Sequence, residues 1–171
     1  MKTFLATILL FHTAAVFANW QIKTTTDAMS DETSSTIYVK AHNGEKFTLI
    51  RKTDNSVWGY FNLTGMKQFK INDQLLLRVD KNKPREINDK LQKAFKVHTY
   101  EWNPNLMGFL LWHGSAKEDN SCGFIGELIN GKKLVIRYHP NKSTKRDVVF
   151  DISKNKNSIK KSLSLPKSAC R

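Results

Sequence analysis

Apolar residues along this chain fall into short alternating runs punctuated by polar turn residues, which is the pattern of strands rather than of amphipathic helices. Thr36–His42 (TIYVKAH) and Lys46–Arg51 (KFTLIR) flank Asn43-Gly44-Glu45. Because Asn and Gly both accept positive φ, this spacing predicts a hairpin. The polar TDNS separates the second run from Val57–Asn62 (VWGYFN). Gln74–Asp80 follows, and KNKP turns it towards Arg85–Ile87. Phe95–Trp102 alternates, whereas Leu106–Trp112 is continuously apolar and predicts a strand covered on both faces. Lys133–His139 and Asp147–Ile152 are the last clear strands. Trp20–Ile22 opens another, with Thr24–Ser35 read as a loop because it is rich in Thr, Ser and Asp. Residues 123–130 fit either a short helix or a strand before Gly131 resets the chain. Ile159 and Leu163 lie one turn apart, so Ser158–Leu163 reads as a helical turn or two.

About eight short strands with turns between them predict an all-β chain, an antiparallel β-sandwich or partly open barrel with a short C-terminal helical turn. Three segments follow: a leader at 1–18, a sandwich domain at 19–153 and a basic tail at 154–171. Binding on such a scaffold falls to loops or open sheet edges.

The leader changes the compartment. Lys2 supplies a positive start, Phe4–Phe11 an apolar stretch, and Val16-Phe17-Ala18 a small-residue cleavage pattern. The apolar stretch is too short for a membrane span and no second candidate follows, so the mature chain is expected to be exported, periplasmic or secreted. In that setting the two cysteines, Cys122 and Cys170, most simply form one disulfide tethering the tail. Closing a loop of about 50 residues stabilises by roughly 3–4 kcal/mol on the chain-entropy model. Two free thiols or a metal site fit less well, since Cys-His sites show closer paired spacings.

The net charge of +13 favours anionic partners, although lysine dominates over arginine and a solubility role explains much of it. The tail carries Lys154, Lys156, Lys160, Lys161 and Lys167 with no acid, a candidate anion-binding arm or simply a solvated surface around Ile159 and Leu163. His113 and Ser115, two apart, are the one pair suggestive of a hydrolase. The surrounding HGS is not a nucleophile elbow, and Glu118 and Asp119 follow too closely to orient the imidazole. His42, His98 and His139 are scattered. Asp27, Asp31 and Glu32 lack calcium-loop spacing, so no metal or cofactor is expected. Aromatic and basic residues alternate in Arg51–Tyr60 without an RNA-binding signature, so no specific nucleic-acid recognition is expected; Trp58, Tyr60, Trp102 and Trp112 are assigned to the core or sandwich edge. Arg78 and Asp80 share a strand face and are expected to form a structural ion pair, with Arg137 and Asp151 in similar roles.

Four stretches together carry a family resemblance: WQIKTTTDAMSDE, FTLIRKTDNSVWGYF, LLLRVDKNKPREI and INGKKLVIRYHPNKSTKRDVVFDIS. They resemble the openings, Arg-ended strands and closing strand pair of small exported bacterial β-sandwich proteins. These are the type VI secretion accessory TagO-like family and, more remotely, the invasion-associated locus B family. The cysteine often found in that pattern beside the Arg51 position is Lys52 here, so no disulfide carries over. The resemblance implies an envelope-located sandwich with no established catalytic residues. The function expected is therefore a non-enzymatic binding or accessory module, its partner an envelope or secretion-system protein or an anionic surface polymer. A secreted effector binding an anionic host surface and a hydrolase using His113 are the alternatives.

Overall fold

A computed structural model describes residues 20–26, 28, 29, 31, 33–69, 75–87, 100–112, 123–140, 143–154 and 156–165. Its strands are β1 (Gln21–Thr26), β2 (Thr33–Lys40), β3 (Lys46–Arg51), β4 (Val57–Asn62) and β5 (Leu75–Val79), then β6 (Arg85–Ile87), β7 (Tyr100–Asn103), β8 (Leu106–Trp112), β9 (Lys133–Tyr138) and β10 (Arg146–Asp151). Two short helices accompany them among the described residues, α1 (Gly123–Asn130) and α2 (Lys156–Ser162). The strands form a six-stranded sheet in the order β1-β2-β3-β4-β8-β7 and a four-stranded sheet in the order β10-β9-β5-β6. All the pairings are antiparallel, so the chain is an all-β, sandwich-like fold. Among the described residues no helix is long and apolar enough to cross a membrane.

Period-two alternation builds the core. Ile37, Val39, Phe47, Leu49, Val57 and Phe61 point inward from the larger sheet, and Leu75, Leu77, Leu134, Ile136 and Phe150 from the smaller; each is fully buried. Aromatic rings join the two layers. Phe47 and Phe150 have centroids 6.1 Å apart, and Phe61 meets Phe150 at 6.2 Å and Tyr138 at 5.8 Å. Burying each such ring contributes about 1.5–3 kcal/mol. Gly59 faces inward between Val57 and Phe61. A Cβ there would lie 3.0 Å from the side chains of Leu111 and Phe109, so its missing side chain leaves room for theirs.

The Asn43-Gly44 hairpin forms, but as a three-residue loop in which Gly44 and not Asn43 takes positive φ. Gly44 has φ +92°, and the amide of Ala41 donates to the carbonyl of Glu45 at 2.8 Å. Thr24–Ser35, expected as a loop, is mostly hairpin: β1 and β2 pair from Gln21–Tyr38 through Thr26–Thr33. All six residues of β1 are exposed, so the ladder needs no apolar residues, and its β-branched threonines suit a strand. Residues 123–130 are a helix because Phe124, Ile125, Leu128 and Ile129 recur at helical spacing, and all four are buried.

The C-terminal turn extends to α2, with Ile159 and Leu163 buried. It ends in a Schellman motif, the amide of Leu165 donating to the carbonyl of Lys160 and that of Ser164 to Lys161. Ser164 takes the left-handed conformation this requires, φ +46°. The leader, Phe95–Thr99 and the stretch from His113 to Cys122 lie outside the described residues, as do Lys167 and Cys170.

Candidate binding face

The described lysines of the tail are Lys154, Lys156, Lys160 and Lys161. Lys156 donates through Nζ to the carbonyl of Asn130 at 2.8 Å, tying the start of α2 to the end of α1. Lys160 and Lys161 stand in the last turn of α2, where positive charge complements the helix dipole. Lys154 is exposed just ahead of the helix. Of the proposed hydrolytic set, His113, Ser115, Glu118 and Asp119 all fall outside the described residues, as do both cysteines. Among the described residues no three His, Cys, Asp or Glu side chains gather as a metal site.

The ion pairs differ from expectation. Asp80 has φ +50°, which takes it out of strand alternation. Its carboxylate accepts the backbone amides of Lys132, at 3.1 Å, and Lys133, at 2.9 Å, instead of facing Arg78. Arg137 pairs with Asp147, not Asp151, at 2.6 and 2.8 Å in a two-pronged contact. The register explains it: Asp147 is directly opposite Arg137 on the neighbouring strand, and directly opposed residues are the closest pairs on a sheet face. The hydrogen bond and charge of Arg137 hold the Asp147 carboxyl below the usual carboxylate range, and Asp147 in turn raises Arg137. Asp151 accepts the amide of Ser153.

A buried pair lies beyond the core. Glu45 is 1% exposed, and its Oε1 meets Lys67 Nζ at 2.5 Å. Its Oε2 has no hydrogen-bond partner among the described residues. Burial, then the Glu45 charge, push the Tyr138 phenol above its ordinary range.

The most unusual surface is the outer face of the six-stranded sheet. Successive rows run Lys40–Lys46–Asn62, Tyr38–Thr48–Tyr60–Gly108 and Thr36–Ile50–Trp58–Leu110. Lys40 and Lys46 are directly opposed, and both ammonium groups sit over the Tyr38 ring, 6.0 and 5.8 Å from its centroid. Neither forms an ion pair or hydrogen bond with a described residue. Trp58 is buried as expected, but on this outer face: Lys52 covers its ring at 3.9 Å, its Nε1 donates to Ser56 Oγ, and Tyr60 stacks on it at 6.4 Å. Tyr60 remains half-buried beside Gly108, which has no side chain to cover it.

Sequence reasoning passed over Lys40 and Lys46. A signal was there, since the two are placed symmetrically about Asn43, and a hairpin centred on that residue brings them face to face. No family model, curated protein or solved structure matches this chain, so its function is read from its own faces.

Proposed function

We propose that this protein is an exported, non-enzymatic binding module of the bacterial envelope, holding an anionic partner on the outer face of its six-stranded sheet. The observation that carries the reading is the opposed pair Lys40 and Lys46. Like charges directly across two strands destabilise a sheet, and no described carboxylate neutralises these two. The Tyr38 ring offsets part of the repulsion, about 0.5–1 kcal/mol for each cation at a surface site. An anion seated between the ammonium groups would offset the rest, and the half-buried Tyr60 offers it an adjoining aromatic surface. The overall charge of +13 adds long-range attraction. Export and an accessory role in the envelope or a secretion system rest on the leader pattern and on the resemblance of the four sequence stretches.

The test is equilibrium binding of the full mature chain to purified lipopolysaccharide and to neutral phosphatidylcholine vesicles across a salt series. The reading expects saturable binding to the anionic polymer that weakens steeply with salt, and none to the neutral vesicles. Equal binding at low and high salt would sink it.

A further inference from the structure

We propose that the Lys40–Lys46 site selects a phosphate monoester carried on a sugar, with the Tyr38 hydroxyl as its third donor. This rests on the reading that the outer face holds an anion, and it adds which anion and which residue tells it apart.

Tyr38 precedes Lys40 by two residues on the same strand face, and Lys46 is directly opposite Lys40. The ring therefore lies beneath both ammonium groups, 6.0 and 5.8 Å from its centroid. Tyr38 is half-buried, and among the described residues neither its hydroxyl nor either ammonium group has a hydrogen-bond partner. An aromatic face attracts cations and repels anions, whereas the ring edge carries the opposite sign. An anion held by these lysines is thus kept off the face and meets the rim of the ring, where the hydroxyl donates.

The rest of the face leaves that charge standing. Among the described residues of its three rows the one carboxylate is Glu101, in the row of Tyr38 but on β7. Four strand spacings separate the two, about 19 Å. Glu45, next to Lys46 in sequence, is turned inward onto Lys67. Asp31 and Asp54 stand in turns at the other end of the strands, and Lys23, opposite Thr36, adds a further positive charge.

Charge and donor number then select the ligand. A phosphate monoester carries about −1.5 to −2 charges at neutral pH and three terminal oxygens. Two ammonium groups match the charge, and with the phenol they match the oxygens. A carboxylate or a phosphodiester brings one charge and two oxygens. Lysine binds phosphate as a point charge, whereas planar carboxylates suit the arginine fork, and none of these rows holds an arginine. Asn62 beside Lys46 and Gln21 beside Tyr38 place amides on either side, which suits a hydroxyl-bearing carrier better than an acyl chain.

The experiment titrates the ¹⁵N-labelled mature chain, at fixed ionic strength, with glucose-1-phosphate and with glucarate, a sugar acid whose two charges sit on separate carboxylates. Glucose-1-phosphate is expected to shift the amides of Tyr38, Lys40 and Lys46 saturably and to bind about tenfold more tightly than glucarate. Tyr38→Phe keeps the ring under the lysines and removes only the hydroxyl. It should lose about tenfold for the phosphate, with glucarate binding and the remaining spectrum unchanged. Equal binding of the two probes, or an indifferent Tyr38→Phe variant, would overturn the proposal while leaving the anion-binding reading intact. Absence of binding by either probe, together with salt-independent lipopolysaccharide binding, would remove both. Tighter binding per accessible phosphate to phosphatidic acid vesicles than to glucose-1-phosphate would also overturn it, because the carrier would then be a membrane.

Discussion

Arg51, the last residue of β3, holds the C-terminal segment onto the sandwich: its Nη1 donates to the carbonyls of Leu163 and Ser164 at 2.7 and 2.5 Å, more than a hundred residues along the chain. Its Nη2 is fixed by Asn55 Oδ1 at 2.7 Å. The guanidinium thus satisfies carbonyls at the end of α2 that the helix itself leaves open. Arg51→Ala is expected to cost about 2–3 kcal/mol, measured as a lower denaturant midpoint with an unchanged slope. Amide exchange should rise first in residues 156–165. Uniform exchange across the chain would contradict the role given to this contact.

The Glu45–Lys67 pair predicts an asymmetric mutational response. Lys67→Met leaves the buried carboxylate of Glu45 without its cation and should cost about 3 kcal/mol, at the low end for buried pairs because Lys67 is 31% exposed. Glu45→Gln with Lys67→Met should cost less than Lys67→Met alone. Urea melts of the two variants and the parent check the order.

Tyr138 gives a pH dependence. Its phenol is raised by burial and by Glu45, so the folded chain keeps the proton after the unfolded chain has lost it. The folded state then binds more protons, and stability falls as pH rises above about 10, the ordinary tyrosine value. Stability contributed by the neutral phenol is fully present below that point. Tyr138→Phe should flatten this alkaline loss, at the cost of the contact between the phenol and Arg146. Thermal melts between pH 8 and 11 follow it directly.

Gly131 ends α1 against β5. A Cβ there would stand 2.2 Å from Val79 Cγ1 and 2.9 Å from the carbonyl oxygen of Glu127. Gly131→Ala should destabilise by about 1–3 kcal/mol through overpacking. Truncation of Val79 to alanine in the same chain should recover part of that, read as a rise in melting temperature over the single variant.

The fold was legible wherever alternation was strong. The runs Lys46–Arg51, Val57–Asn62 and Leu106–Trp112 are β3, β4 and β8 as the residues predict, because each sets buried Phe, Leu or Met against a flanking turn. The exposed threonines 24–26 of β1 carry no such contrast and read as loop. Pairings of charge were hidden for a different reason. Asp147 and Asp151 lie on the same face of one strand, four residues apart, and only the register of β9 against β10 decides which meets Arg137. That register depends on the intervening turn, which spacing alone does not supply. The lysine–tyrosine face was obscured because Trp58 and Tyr60 look like core residues in sequence, whereas the sheet turns them outward opposite Phe61.

The central claim, that the outer face of the six-stranded sheet binds an anion through Lys40 and Lys46, is tested most directly by the salt dependence of lipopolysaccharide binding in two variants of equal charge. One is Lys40→Ala with Lys46→Ala. The other is Lys81→Ala with Lys83→Ala, which removes two exposed lysines from the turn between β5 and β6. If the opposed lysines hold the anion, the first variant binds about tenfold more weakly and its logarithmic salt slope falls by about one to two, while the second stays close to the parent. Equal losses in both variants would mean that only net charge matters, and would contradict the account.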